Sequence, residues 1–321
     1  MNVEDIRKAG IIGAGIMGHG IAQALATAGY SVCLTDVNKG ALDSALGRVE
    51  RNLGSFVDAG LVSANDVPTI LGRIRVAPTL EQTVEDTDIV FEAAAEDQEL
   101  KRVLFNKLDA ICPERTILAS NSSSLLISEF ASETHRQDRC ILTHWMNPPH
   151  IVPAVEVIPG HLTSKETYEV VCALLLKVGK QPVRVRKEIP GYLVNRIQMA
   201  MFREVWSLWG QGVASAEDLD MAVKGSFGFR LPSVGPLMAN DLAGDETTYV
   251  IAHRLLPLID SSPEPADAFR KMIEAGDYGM KTGRGFYNHS TEEWDAIIEK
   301  RDRDLINQLK NLRRASEPTS D

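Results

Sequence analysis

Three polar groups in this chain have residue types and settings suited to chemistry. They are the run Asn121-Ser122-Ser123-Ser124, His144 in His144-Trp145-Met146-Asn147-Pro148-Pro149, and Glu156 in Val155-Glu156-Val157-Ile158. A serine run after a strand more often caps a helix, and Ser124 or Ser128 suits that task. His144 closes an apolar run with a titratable ring, and Glu156 is an acid inside an apolar strand that needs a buried partner. Pairing the two would fix the imidazole tautomer and stabilise its positive charge, the arrangement of a general acid/base.

A second constellation lies near the start. Gly13, Gly15 and Gly18 stand in G-x-G-x-x-G spacing between the apolar Gly10-Ile11-Ile12 and a helix beginning at Ile16. The first glycine allows a tight turn, the second lets backbone approach a pyrophosphate, and the third packs helix on sheet. The helix start, Ile16 and Met17, offers unpaired N–H groups to the phosphates. About 20 residues on, a second strand ends at Asp36, an acid that suits ribose hydroxyls and repels a 2′-phosphate. The spacing predicts a site for NAD rather than NADP.

Such groups need a scaffold with strand ends on one edge. Strands are predicted over Tyr30 to Thr35, Thr87 to Ala94, Thr116 to Ser120, Cys140 to His144, Ala154 to Ile158 and Pro182 to Val185. Helical patterns fall between them, over Val37 to Gly72, with a helical turn near Asn65 to Leu71, and over Asp97 to Leu108. The alternation implies an α/β fold, a Rossmann-like, doubly wound and mainly parallel sheet covered on both faces. Ligands bind beyond the carboxyl ends of such strands, where all three polar groups fall. Glu92, inside its own apolar strand, reads equally as a satisfied structural acid or as a group lining the nicotinamide pocket.

After Lys187 the pattern changes, and Pro190-Gly191 marks a boundary between a dinucleotide-binding domain (1–188) and an all-helical domain (189–321). The helix Tyr192 to Val213 is too apolar for an exposed face, so it belongs in a core or a subunit interface. Asn195 and Arg196 stand in its first turn. The segment 225–236 reads as an irregular loop, 291–314 as an amphipathic helix packed on the helical domain or on a partner subunit, and the stretch from about 315 as a disordered tail.

The 321 residues carry a net charge of −10 and no basic block, which excludes nucleic acid as a partner. The four cysteines are far apart, without C-x-x-C or zinc spacing, and read as core residues in a reducing compartment. No metal site is expected. Five glycines from Gly13 to Gly29 and a central His19 argue against a membrane helix, and a signal peptide's positive n-region is missing, so the expected location is the cytoplasm.

The pieces GAGIMGHGIA, FEAAAED, NSSSL, HWMNPPHIVPAVEVI, GKQPVRV, PGYLVNR, GVASAEDLD and KTGRGFY, in this order, resemble the 3-hydroxyacyl-CoA dehydrogenase family from Ala9 to Tyr287. The resemblance implies catalytic positions at Ser123, His144, Glu156 and Asn195, the adenosine ribose acid at Asp36 and a nicotinamide-side acid at Glu92. The expected cofactor set is Gly13, Gly15, Ile16, Met17, Gly18, Asp36, Glu92, Lys101 and Asn121. It also implies hydride exchange between NAD and C3 of a 3-hydroxy substrate, with a homodimer built by the helical domain. Gly228-Phe229-Arg230 resembles the lambda-crystallin, or L-gulonate 3-dehydrogenase, branch, in which Arg230 would meet a free carboxylate. The segment RNLGSFVDAGLVS carries Arg51 as its only cation, so a CoA phosphate has no obvious partner there. The expected substrate is therefore a free 3-hydroxy acid, with a 3-hydroxyacyl-CoA as the alternative. The third reading is a crystallin-like protein that binds NADH without catalysis.

Overall fold

A computed structural model describes residues 1–316; residues 317–321, which hold most of the tail expected from about 315, lie outside the described residues. The chain forms two compact units: Met1–Leu193 joined by the stretch from Lys300 on, and Val194–Glu299.

The first unit is built on one eight-stranded sheet: β1 (Lys8–Ile12), β2 (Ser31–Thr35), β3 (Ile74–Val76), β4 (Ile89–Glu92), β5 (Ile117–Ser120), β6 (Cys140–Trp145), β7 (Ala154–Pro159) and β8 (Gln181–Arg184). Their spatial order is β3-β2-β1-β4-β5-β6-β7-β8. Every neighbouring pair is parallel except β6–β7. The order reverses direction between β1 and β4, which opens a crevice at their carboxyl ends. Strands buried on both faces need apolar residues throughout, and β4, β5 and β6 are buried along their whole length. The short β3 was not anticipated: only three residues long, with two of them exposed, it has too little pattern to announce itself.

Local chemistry starts the flanking helices. Asn38 accepts from the Ala41 N–H at the head of Lys39–Asp58, Asp97 from Leu100 N–H ahead of Gln98–Ile111, and Ser164 from Thr167 N–H ahead of Lys165–Lys177. Ile16–Thr27 has no such side-chain cap; it starts on Gly15, which leaves its first N–H groups free for an anion.

The second unit is helical. Its first helix, Val194–Gly210, has no fully buried residue. Trp206 stacks on Phe269 at 4.4 Å and Phe269 on Phe286 at 5.4 Å, so an aromatic column supplies much of its packing. Two expectations are corrected. Within 225–236, Phe227–Arg230 is helical, because Gly228 can approach the carbonyl of Val223 where a side chain would collide. The far end of the terminal helix Thr291–Ser316 packs on the first unit rather than on the helical domain: Ile306 and Leu309 are buried with Phe56 and Ile151. Those two apolar groups need a cover, and the leucine and isoleucine spacing of the helix provides it.

Candidate active site

The glycine turn between β1 and the helix Ile16–Thr27 has the three distinct environments its spacing calls for. Gly13 holds a left-handed backbone (φ 101°), and a Cβ there would lie 2.4 Å from the Ala93 carbonyl oxygen. A Cβ at Gly18 would stand 1.7 Å from the Gly13 carbonyl oxygen, so helix and strand can meet only through glycine. Around Gly15 nothing lies within 4 Å of that position, leaving backbone open to a ligand. Beside it is a cavity of about 660 Å³ lined by Gly13, Gly15, Asp36, Ala94 and Leu100. Asp36, at the end of β2, accepts from Ala14 N–H at 2.6 Å and Asn38 N–H at 2.7 Å, which fixes its carboxylate at the cavity wall. Ile16 is exposed and Met17 half-buried at the helix start.

Behind the neighbouring wall is a buried polar knot. Glu92 is 0% exposed and accepts from Lys101 Nζ and Ala94 N–H, each at 2.7 Å, and from the Ser120 hydroxyl. Lys101 is 1% exposed. Neither residue lines the cavity, although both were expected among cofactor contacts; they hold the Ala93–Ala94 wall from behind. Asn121 is also turned to structure: its side-chain carbonyl accepts from Trp145 N–H at 2.9 Å and ties the ends of β5 and β6. The acid that reaches the serine loop is Glu96. One of its carboxylate oxygens accepts from the Ser122 and Ser124 hydroxyls and from Ser123 and Ser124 N–H groups at 2.7–2.9 Å. Burial pushes its carboxyl up, but these bonds and the Lys101 ammonium more than offset that and leave it below the ordinary value. Glu96 was missed, yet FEAAAED carries three acids, of which Glu96 and Asp97 stand beyond the strand.

At the far side of the sheet, His144 and Glu156 face each other across the β6–β7 ladder as direct register partners. His144 Nδ1 lies 2.7 Å from Glu156 Oε2, and both side chains are buried. An ionised carboxylate can only accept, so the pairing puts a proton on Nδ1 and leaves Nε2 to exchange one with a ligand. Glu156 Oε1 accepts from Leu193 N–H at 2.8 Å. Ser123 is exposed in the loop after β5, on the same sheet edge as the end of β6. Asn195 and Arg230 belong to the second unit: Asn195 is half-buried in the first turn of Val194–Gly210, and Arg230 is exposed at the end of Phe227–Arg230.

Lys180, in GKQPVRV, is another group that sequence reasoning passed over. Its buried Nζ donates to the carbonyls of Pro149 (2.6 Å) and Val152 (2.8 Å) and lies 5.5 Å from the Trp145 ring centre. It ties down the loop that follows His144; burial, with Arg313 nearby, pushes its ammonium down to about 7. Among the described residues there is no cluster suited to a metal ion, and no helix is long and apolar enough to cross a membrane.

Residues 8–189 match the family model for the 3-hydroxyacyl-CoA dehydrogenase NAD binding domain, and residues 191–289 match that for the 3-hydroxyacyl-CoA dehydrogenase C-terminal domain. The chain belongs to the 3-hydroxyacyl-CoA dehydrogenase family. Its cofactor is NAD, and it is an oxidoreductase. A probable 3-hydroxybutyryl-CoA dehydrogenase from Bacillus subtilis is 41% identical over 89% of this chain and 98% of its own. Among solved structures, the (S)-3-hydroxybutyryl-CoA dehydrogenase from Ralstonia eutropha is 37% identical, with a TM-score of 0.73 over 89% of this chain and 99% of its own. The 5-formyl-3-hydroxy-2-methylpyridine 4-carboxylic acid 5-dehydrogenase, an NAD+ dependent dismutase, is 30% identical, with a TM-score of 0.90 over 96% of this chain and 99% of its own.

Proposed function

We propose that the protein interconverts a secondary alcohol and a ketone at C3 of a small acid or its thioester, with His144 as the acid/base. The supporting observation is the His144–Glu156 pair at 2.7 Å, buried and in register across one ladder. Bound NAD supplies the hydride acceptor, held by the backbone of Gly13 to Gly18 and by Asp36. During oxidation His144 Nε2 takes the hydroxyl proton while Glu156 keeps Nδ1 protonated and offsets the positive charge on the ring. Ser123 and Asn195 hydrogen-bond the reacting oxygen and hold the carbon in place.

Two substrates are favoured by different observations. Arg230 is exposed at the end of Phe227–Arg230, and the likeness to the pyridine carboxylic acid dehydrogenase covers 96% of the chain, so it runs beyond residue 289, where the family models end. Both favour a free carboxylate held by the guanidinium fork. The higher identity to 3-hydroxybutyryl-CoA dehydrogenases favours a short thioester. Initial rates of NADH oxidation with acetoacetyl-CoA and with a panel of free 3-oxo acids separate them. A kcat/KM for free acids at least tenfold higher supports the carboxylate reading; the reverse ratio rejects it. Absence of turnover with every compound, despite NADH binding, rejects the catalytic reading.

The second unit exposes a large apolar surface, with Leu237 79%, Phe229 78% and Tyr249 73% exposed. Such a patch marks an interaction site, and a second copy of this unit is the occupant in the homodimer reading.

A further inference from the structure

The chain leaves the first unit through Ile189-Pro190-Gly191-Tyr192-Leu193. Within this connector, Tyr192 is the single non-glycine residue with a left-handed backbone among the described residues (φ 53°). A side chain with a Cβ resists that conformation, which persists only where the surroundings enforce it. Here they do. Tyr192 is fully buried, its hydroxyl donates to the Leu125 carbonyl at 2.5 Å, and its N–H donates to the Ile189 carbonyl at 3.1 Å. Its ring meets the His144 ring edge-on, with centres 5.3 Å apart and planes at 63°. The next N–H, that of Leu193, points at Glu156 Oε1 from 2.8 Å, while Glu156 Oε2 holds His144 Nδ1.

We propose that Tyr192 and Leu193 are positioning residues for the acid/base pair: the left-handed turn at Tyr192 aims the Leu193 N–H at Glu156, whose other oxygen holds the imidazole. Each carboxylate oxygen of Glu156 then has its own donor, one from the imidazole and one from the connector. Rotation of the carboxylate breaks both bonds at once, so a disturbance of the connector reaches His144 through two consecutive hydrogen bonds. A backbone donor cannot be lost by side-chain rotation or by titration, which suits it to a fully buried acid.

The inference rests on the acid/base reading of His144, and the test separates the two. Tyr192→Gly, Tyr192→Ala and Tyr192→Val all remove the ring, but glycine accepts the left-handed backbone whereas alanine resists it and valine resists it most. The Nδ1–H proton signal of His144 is followed in [15N]histidine-labelled protein and assigned by its loss in His144→Gln. Turnover is measured with acetoacetyl-CoA or acetoacetate, whichever the unaltered protein reduces faster. The signal should persist in Tyr192→Gly and shift or broaden in the alanine and valine variants. Their kcat should fall at least about tenfold below that of Tyr192→Gly with KM within about twofold. Equal signals and equal kcat across the three variants overturn the positioning role while leaving the acid/base reading intact. Retained turnover in His144→Gln overturns that reading itself.

Discussion

Replacing Lys101 by methionine removes the charged donor from a carboxylate that has no access to water. Glu92 is 0% exposed and keeps only Ala94 N–H and the Ser120 hydroxyl, two neutral donors, once the ammonium 2.7 Å away is gone. A buried ion pair stripped of one partner costs about 3–5 kcal/mol, far more than the roughly 1 kcal/mol of a neutral hydrogen bond. For a unit of this size that corresponds to a fall in Tm of about 10 °C. The double variant Lys101→Met with Glu92→Leu removes both charges, so its cost should fall short of the two single costs added together by at least about 2 kcal/mol. Thermal unfolding of the three variants, with NADH affinity measured alongside, provides the assay. NADH binding should weaken in Lys101→Met, since the pair holds the Ala93–Ala94 wall of the cavity from behind. A Tm drop below about 3 °C, or additive costs in the double variant, would refute the assigned role of the knot.

Burial holds the His150 imidazole down at about 3, with His19, Lys180 and Arg301 nearby adding to the effect. The unfolded chain takes up a proton near 6.5 while the folded one does not, so stability falls as the pH drops from about 6.5 towards 3. The loss at pH 5 is about 2 kcal/mol relative to pH 8, and His150→Phe should flatten the Tm-against-pH curve over that interval by this amount; an unaltered slope contradicts it. In the glycine turn, Gly18→Ala should abolish NADH binding because its Cβ meets the Gly13 carbonyl at 1.7 Å, whereas Gly15→Ala, with open space around it, should leave the fold intact and weaken only the cofactor. Equal loss of stability in both variants, read by thermal unfolding, would contradict the division of labour among the three glycines.

Much of the scaffold is legible in the residues because its rules are local. Apolar strand runs, a glycine turn and an acid at the end of β2 follow directly from periodicity and spacing, and the His144–Glu156 pairing follows from two polar groups stranded in apolar strands. What resisted reading depends on distant partners. Nothing near Glu92 in the sequence says that Lys101 will pair with it, so its residue type alone left a structural and a nicotinamide-side role equally open. Glu96 gains its place only when the serine loop folds over it, and Lys180 only when the Pro149–Val152 carbonyls arrive from another segment. The terminal helix has an evident apolar stripe, but the stripe does not name its target, which is the patch of Phe56 and Ile151. Tyr192 looks ordinary until its backbone angle is known.

The central claim is that His144 moves the substrate proton, and the most direct measurement is single-turnover reduction by preloaded NADH in His144→Gln, with NADH affinity determined on the same sample. The account predicts unchanged cofactor binding and a rate of the chemical step lower by about 10²–10⁴. Normal single-turnover rates with intact NADH binding would contradict it.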